Sequence, residues 1–292
     1  MASGRGRETV TAQAAHATGA AVDSLAKRTV AVLTTADPAA KTAAVAELAR
    51  RWHDGTLTRI GTAQPPHRPA RPNRPRLLAP REMPKRGKSG SPAGRLALLH
   101  ALAHIELNAI DLACDIIARF TAEDLPRGFY DDWVRVAEEE ALHFTLLAAR
   151  LVELGAAYGD LAAHDGLWEA AAETAHDLAA RLAVVPLVLE ARGLDVTPAM
   201  MNNLDRAGDG ASARILARIH ANEIGHVAAG KRWFDHLCAR RGRDPVATYH
   251  DLVRRHFRSP LKPPFNTKAR SQAGLDAAYY EPLAALRPPN QS

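Results

Sequence analysis

The chain has 292 residues, 47% hydrophobic and 24% charged, a globular balance that excludes disorder as the main state. Aromatics make up only 5%, which favours helices packed through small aliphatic side chains over a β-sandwich. The net charge of +6 suggests a nucleic-acid partner until it is located: residues 65–95 hold nine Lys/Arg against Glu82 alone, and the remainder is slightly acidic.

In chain order, a helix is expected over about 22–34. Asp37-Pro38 opens a second, with Asp at the N-cap, Pro at the first helical position and an apolar period through Val45, Leu48 and Trp52. Gly55 closes it. Eight prolines between 65 and 95 forbid a helix there and predict an extended, arginine-rich strap that either links or wraps the following unit. Long amphipathic segments then run over 93–120, 127–155 (with Gly155 past the end) and 165–193. Gly193 and Pro198 are expected to break the third of these. A short helix should follow Pro198, and a fourth long helix spans 209–240. From Tyr249 onward the chain is punctuated by Pro260, Pro263 and Pro264. No segment carries a strand period, so the fold class is all-α. The expected division is 1–90 as helical arm and strap, 91–245 as the helical core, and 246–292 as an extended tail packing on it.

Four glutamates interrupt the apolar faces. Glu106 lies in the stripe of Leu99, Leu102, Ala103, Ala109, Ile110 and Ala113; Glu140 and His143 fall between Val136 and Leu147. Glu190 follows Ala183 and Leu187, while Glu223 and His226 sit among Leu216, Ile219 and Gly230. An ionised carboxylate facing a core costs several kcal/mol (order of magnitude) unless paired or metal-bound. The order is Glu, Glu-x-x-His, Glu, Glu-x-x-His, and residues three apart share a helical face. Four carboxylates and two imidazoles form the ligand set of ferritin-like di-metal carboxylate bundles. Glu106 and Glu140 are 34 residues apart, Glu190 and Glu223 are 33 apart, so the two halves repeat. Antiparallel pairing of the first two helices sets Glu106 level with Glu140. A hairpin between the second and third helices would instead leave His143 and Glu190 about 18 Å out of level at 1.5 Å per residue. A long crossover between those helices fits better.

The stretch 94–238, with AHIELNAIDLA, EEEALHF, YGDLAAHDGLWE, LVLEARGLDVTP and NEIGHVAAGKRWF, resembles the ferritin-like family catalogued as domain of unknown function 455. The strap and the tail motifs RSPLKPPFN and AYYEPL are similar to it too. The resemblance implies a ferritin-like four-helix bundle with Glu106, Glu140, His143, Glu190, Glu223 and His226 as metal ligands. More distantly, the ligand order is similar to that of tRNA hydroxylases and other di-iron oxygenases. Many of those carry Asp before the last Glu-x-x-His, orienting a histidine from outside. Here Asn222 stands in that place.

Each feature also has an ordinary explanation. A lone Glu-x-x-His is commonly surface; only the six-residue order over four helices points to metal. Glu139 competes with Glu140, but Glu140 reproduces the Glu223/His226 spacing, leaving Glu138 and Glu139 as a solvated acidic flank. His100, His104, Asn108 and Asp111 read as a polar inter-helix network and His220 as a packed histidine. Cys114 and Cys238 read as buried small hydrophobes, too few for a disulfide framework. Pro186 marks either a kink near the metals or a boundary between two shorter helices. Arg192 either neutralises the site or simply ends a helix. The strap lacks aromatic residues on which bases could stack, so wrapping is favoured over RNA binding.

The expected function is a di-iron oxidoreductase (manganese or a mixed pair being the other metals) that activates O₂ to oxidise an organic substrate, a small molecule or modified nucleoside, with an external electron donor. The alternatives are a ferroxidase or iron-handling bundle, a tRNA-modifying hydroxylase, and a non-enzymatic metal-binding scaffold. No uncharged apolar run reaches the roughly 18 residues of a membrane span. The N-terminus lacks a secretory pattern, so a cytoplasmic location is expected.

Overall fold

Side-chain caps decide where most helices begin. Ser24 starts α1 (Leu25–Leu33), Asp37 with Pro at the first position starts α2 (Pro38–His53), and Ser91 starts α3 (Pro92–Arg119). Next come α4 (Arg127–Glu153), α5 (Gly166–Glu173), α6 (Leu178–Val184), a π-helical turn (Val185–Glu190) and α7 (Ala191–Arg206). Asp209 caps α8 (Gly210–Arg240) and Asp244 caps α9 (Pro245–His256); α10 (Thr267–Gln272) and α11 (Ala277–Tyr280) finish the order. The computed structural model describes residues 23–84, 91–257 and 259–284, and among these there is no strand, only two isolated bridges. Residues 85–90 of the expected strap, and the ends of the expected arm and tail, lie outside the described residues.

Helix directions follow from the contacts at their ends. Arg150 Nη2 donates to Asp209 Oδ1 (2.8 Å) at one end of the α4–α8 pair, and Trp233 Nε1 donates to Asp132 Oδ2 (2.8 Å) at the other. The two helices are therefore antiparallel. α7 and α8 are joined by three residues and pack closely against each other, so α7 runs in the direction of α4. The connection 154–177, which contains α5, must then cross back along the molecule before α6 begins. One apolar core runs through the long helices and reaches α1, α2 and the tail, with Trp52, Trp133, Tyr130, Phe129 and Tyr249 fully buried.

Two expectations are corrected. The third long segment is not one helix from 165 broken after Glu190. It turns between α5 and α6, then continues without a break from Leu178 to Arg206. Pro198 lies inside α7 and removes the donor that would have reached Leu194 O. That carbonyl instead accepts from His220 Nε2 (3.3 Å) and Asn266 Nδ2 (3.1 Å). The irregularity falls earlier, at Pro186 in the π turn, where Leu187 O accepts the Tyr249 hydroxyl (3.1 Å). The tail is also not extended throughout. Asp244-Pro245 repeats the capping signal of Asp37-Pro38, and three helices follow.

The strap is docked. Leu78 N donates to Ala163 O (2.8 Å), Ala163 N to Arg76 O (3.1 Å) and Ala70 N to Leu33 O (2.8 Å). Arg68 pairs with Asp165, and Arg71 with Asp111 and Asn108. Buried Lys41 closes on the same Asp111. One turn on, buried Arg181 donates to Asp115 Oδ2 (2.6 Å), Ala171 O (2.6 Å) and Thr174 Oγ1 (3.0 Å), tying α5 and α6 to α3. By length and composition α3 is apolar enough to cross a membrane, but 72% of that stretch is buried inside the fold. Its two fully buried aspartates, Asp111 and Asp115, are paired with Lys41, Arg71, Arg119 and Arg181.

Candidate metal centre

Glu106 on α3, Glu140 and His143 on α4, and Glu223 on α8 bring ligand atoms within 4.8 Å of one another. Their helices are held in register by the α4–α8 contacts above. His143 Nδ1 faces Glu106 Oε2 at 3.1 Å and Glu140 Oε2 at 3.3 Å. His226 Nδ1 faces the other oxygen, Glu140 Oε1, at 3.0 Å and Glu223 Oε1 at 3.7 Å. Glu140 thus presents one oxygen to each imidazole, and the two rings stand 5.8 Å apart. Glu190, carried by the last residue of the π turn, lies outside that tight four-residue group. It shares a cavity wall with Glu106, Glu140 and Glu223, and its Oε2 is buried.

The polar atoms are not satisfied by protein. Glu140 Oε1, His143 Nε2, Glu190 Oε2, Glu223 Oε2 and His226 Nδ1 are all buried without a hydrogen-bond partner. Buried polar groups are otherwise nearly always paired. His143 Nε2 is the outer nitrogen of its ring, but Glu140 Oε1 and His226 Nδ1 meet at 3.0 Å without an aligned hydrogen bond and, with Glu190 Oε2 and Glu223 Oε2, are what a cation would satisfy. Neighbouring ligands of an ion bound at about 2.1 Å stand about 3 Å apart, the spacing found around each Nδ1. The donor set, carboxylate oxygen with imidazole nitrogen, suits divalent iron, manganese or zinc. These residues therefore fit a metal.

Protons stand in for that charge when no cation is bound. Burial and the neighbouring Glu140 charge push the Glu106 carboxyl well above the usual range; burial and Glu223 do the same to Glu190. Burial opposes charging of Glu140 too, but the His226 charge and the close approach of both imidazoles to its oxygens hold it below. Burial likewise disfavours a charged His143, yet its bonds to Glu106 and Glu140 raise it to about 10. His226 is also raised, by Glu140 and Glu223 against burial.

Glu139 is not a solvated flank. Its Oε2 accepts from His226 Nε2 at 2.7 Å, directing Nδ1 of that ring at Glu140 and fixing the tautomer. No local signal marked it: the packing of α8 against that edge of α4 is what brings the carboxylate and the ring together. Asn222 does not do the same for His143, whose Nε2 has no partner. His104 turns away, bonding the Tyr158 hydroxyl (2.9 Å) and His164 O (3.2 Å), while His100 Nε2 accepts from Gly159 N (2.9 Å). Arg192 faces the tail rather than the cluster, its Nη1 donating to Lys262 O (2.6 Å). Cys114 and Cys238 are free and buried.

Beside the cluster lies a cavity of about 280 Å³, walled by Leu102, Ala109, Leu216, Ile219 and Met200 with Gly193 of α7. Pro186 packs on Gly230, while Val185, Leu189 and Glu190 of the same π turn line the cavity.

A helical protein with a buried carboxylate–imidazole cluster able to hold metal is the class this site defines. The chain belongs to the family described as protein of unknown function (DUF455), whose profile matches residues 34–281. An uncharacterized protein of Haemophilus influenzae is 45% identical over 209 residues, covering 70% of this chain and 72% of that one. No solved structure matches.

Proposed function

We propose that α3, α4, α6–α7 and α8 form a ferritin-like bundle in which Glu106, Glu140, His143, Glu190, Glu223 and His226 hold two iron or manganese ions, and that the protein is an O₂-dependent oxidoreductase of an organic substrate. The observation that carries this is a buried carboxylate–imidazole cluster with four ligand atoms, Glu140 Oε1, Glu190 Oε2, Glu223 Oε2 and His226 Nδ1, left without a hydrogen bond next to an apolar cavity. A bound metal pair supplies the electron transfer to O₂. The chain supplies the rest. Glu140 offers an oxygen to each half of the site, Glu106 with His143 serves one half, and Glu190 with Glu223 and His226 serves the other. Glu139 holds the His226 ring. The apolar walls exclude water from the place where a substrate C–H would lie. For a hydroxylation, one C–H, one O₂, two electrons and two protons give C–OH and water, the electrons coming from an external donor. Two strap arginines point inward to Asp111 and Asp165, which favours docking over RNA binding.

Metal analysis of anaerobically purified protein tests this. Two ions per chain are expected, lost in Glu140→Ala/Glu223→Ala with helicity retained, together with substrate-stimulated O₂ consumption by the reduced form. A double variant with unchanged metal refutes the site. Turnover of many Fe²⁺ per chain into a retained ferric mineral establishes the iron-handling alternative instead.

A further inference from the structure

The tail builds a second compartment against the same π turn. A cavity of about 210 Å³ lies between α7 and residues 257–270, walled by Leu189, Arg192, Asp195, Lys262, Phe265 and Arg270 among others. Arg270 is only 2% exposed. Its Nε and Nη2 grip Asp195 in a two-pronged pair (2.9 and 2.8 Å), and Nη2 also reaches Ala191 O at 3.3 Å. The remaining nitrogen, Nη1, is buried with no partner. The guanidinium is stacked over Tyr280 (4.5 Å) and Phe265 (5.0 Å), which prevents it from swinging elsewhere. Asp195 neutralises one positive charge, while Arg192 and Lys262 add two more on the same wall. The pair with Asp195 accounts for the burial of Arg270, but nothing among the described residues accounts for its idle Nη1 donor beside two further cations. An oxyanion does, because guanidinium groups bind carboxylate and phosphate through paired N–H donors.

This compartment touches the metal cavity. Leu189 and Arg192 line both, flanking and following Glu190. Together the two volumes enter the range of roughly 300–1,000 Å³ usual for small-molecule sites. We propose that the substrate is an apolar molecule bearing a carboxylate or phosphate: its anionic head is held by Arg270, Arg192 and Lys262, and its apolar body passes Leu189 toward Glu190. This rests on the oxidoreductase reading for its consequence, not for its binding. The tail is then the part of the chain that selects substrate, and Asp195 and Phe265 are positioning residues for Arg270.

Calorimetric titration of the full-length metal-free protein with octanoate, octyl phosphate and octanol tests it without any turnover. At least one of the two anions should bind tenfold or more tightly than octanol, and the stronger of them identifies the head group. Arg192→Gln and Lys262→Gln are partly or fully exposed and should keep the fold. Together they should weaken the anion about tenfold and leave octanol unchanged. Arg270→Lys keeps a charge opposite Asp195 and should weaken it further. Equal binding of octanol and both anions, or unchanged anion binding in the Arg192/Lys262 double variant, overturns the proposal. Metal content measured on the same samples separates that failure from failure of the metal site.

Discussion

Two glycines on adjacent helices should respond to alanine with opposite signs. At Gly230, in the middle of α8, an added Cβ would stand 2.4 Å from Pro186 Cβ and 2.5 Å from its Cγ. Carbon atoms normally approach to about 3.5–4.0 Å, so about 1 Å of movement must be found between α8 and the π turn. Neither side can supply it by swinging a side-chain end, because the proline ring is fused to the backbone. Overpacking of this kind costs about 1–3 kcal/mol, against about 1 kcal/mol that alanine gains over glycine in a helix. Gly230→Ala should therefore lose up to about 2 kcal/mol. At Gly193, inside α7, the Cβ meets nothing within 4 Å, and only the helical gain of about 1 kcal/mol remains. Urea denaturation of the two variants, at constant m-value, reads both signs directly. Gly230→Ala should also weaken metal binding, since His226 lies one turn before it and Glu190 one turn after Pro186. A stabilised Gly230→Ala would refute the close approach of α8 to the π turn.

Glu139→Ala should leave the fold intact, since that side chain is 25% exposed. It should lower metal affinity by about 10- to 100-fold, the usual effect of losing a carboxylate behind a ligating histidine; competition with a chromogenic chelator measures it. Lys41→Met leaves buried Asp111 with Arg71 alone and should cost about 3 kcal/mol by chemical denaturation; Lys41→Met/Asp111→Leu should recover much of that. Burial works against ionisation of Asp209, but the Ser212 amide and hydroxyl and Arg150 hold its pKa below the ordinary 3.8. The stability it confers is complete above that value and is lost as pH falls through the folded pKa. The gap between wild type and Asp209→Asn should therefore narrow from pH 6 to pH 3, and a constant gap would refute the assignment.

The candidate metal ligands were legible because they violate a pattern. Glu106, Glu140, Glu190 and Glu223 occupy positions where the helical period demands apolar side chains, and chemistry must account for such faults. Glu139 violated nothing, since a glutamate at the edge of a helix face is also what solvent would select. Only the approach of α8 gives it a partner. The misplaced break after Glu190 has a similar origin. Pro198 in isolation ends a helix, but Asn266, 68 residues further on, accommodates the freed carbonyl of Leu194. Long-range rescue of a local fault leaves no local trace. The helical tail was different: Asp244-Pro245 is a start signal as plain as Asp37-Pro38, overshadowed by the prolines that follow.

Asp111 and Asp115 have no solvent access at all, and the cations that neutralise them come from α2, the strap, α6 and, for Asp115, also Arg119 at the end of α3. The core and its arm are therefore chemically inseparable. A chain cut before α3 would present Asp111 to a hydrocarbon interior with neither Lys41 nor Arg71, so the point where prolines end and helices begin is no place for dissection. Inheritance is constrained in the same way. Lys41, Arg71 and Asp111 lie tens of residues apart yet form a single charge triplet, and any one of them is free to change only in step with the others. An arm transplanted from a relative into this core must bring its own pair of cations or meet a core whose acid has already been lost.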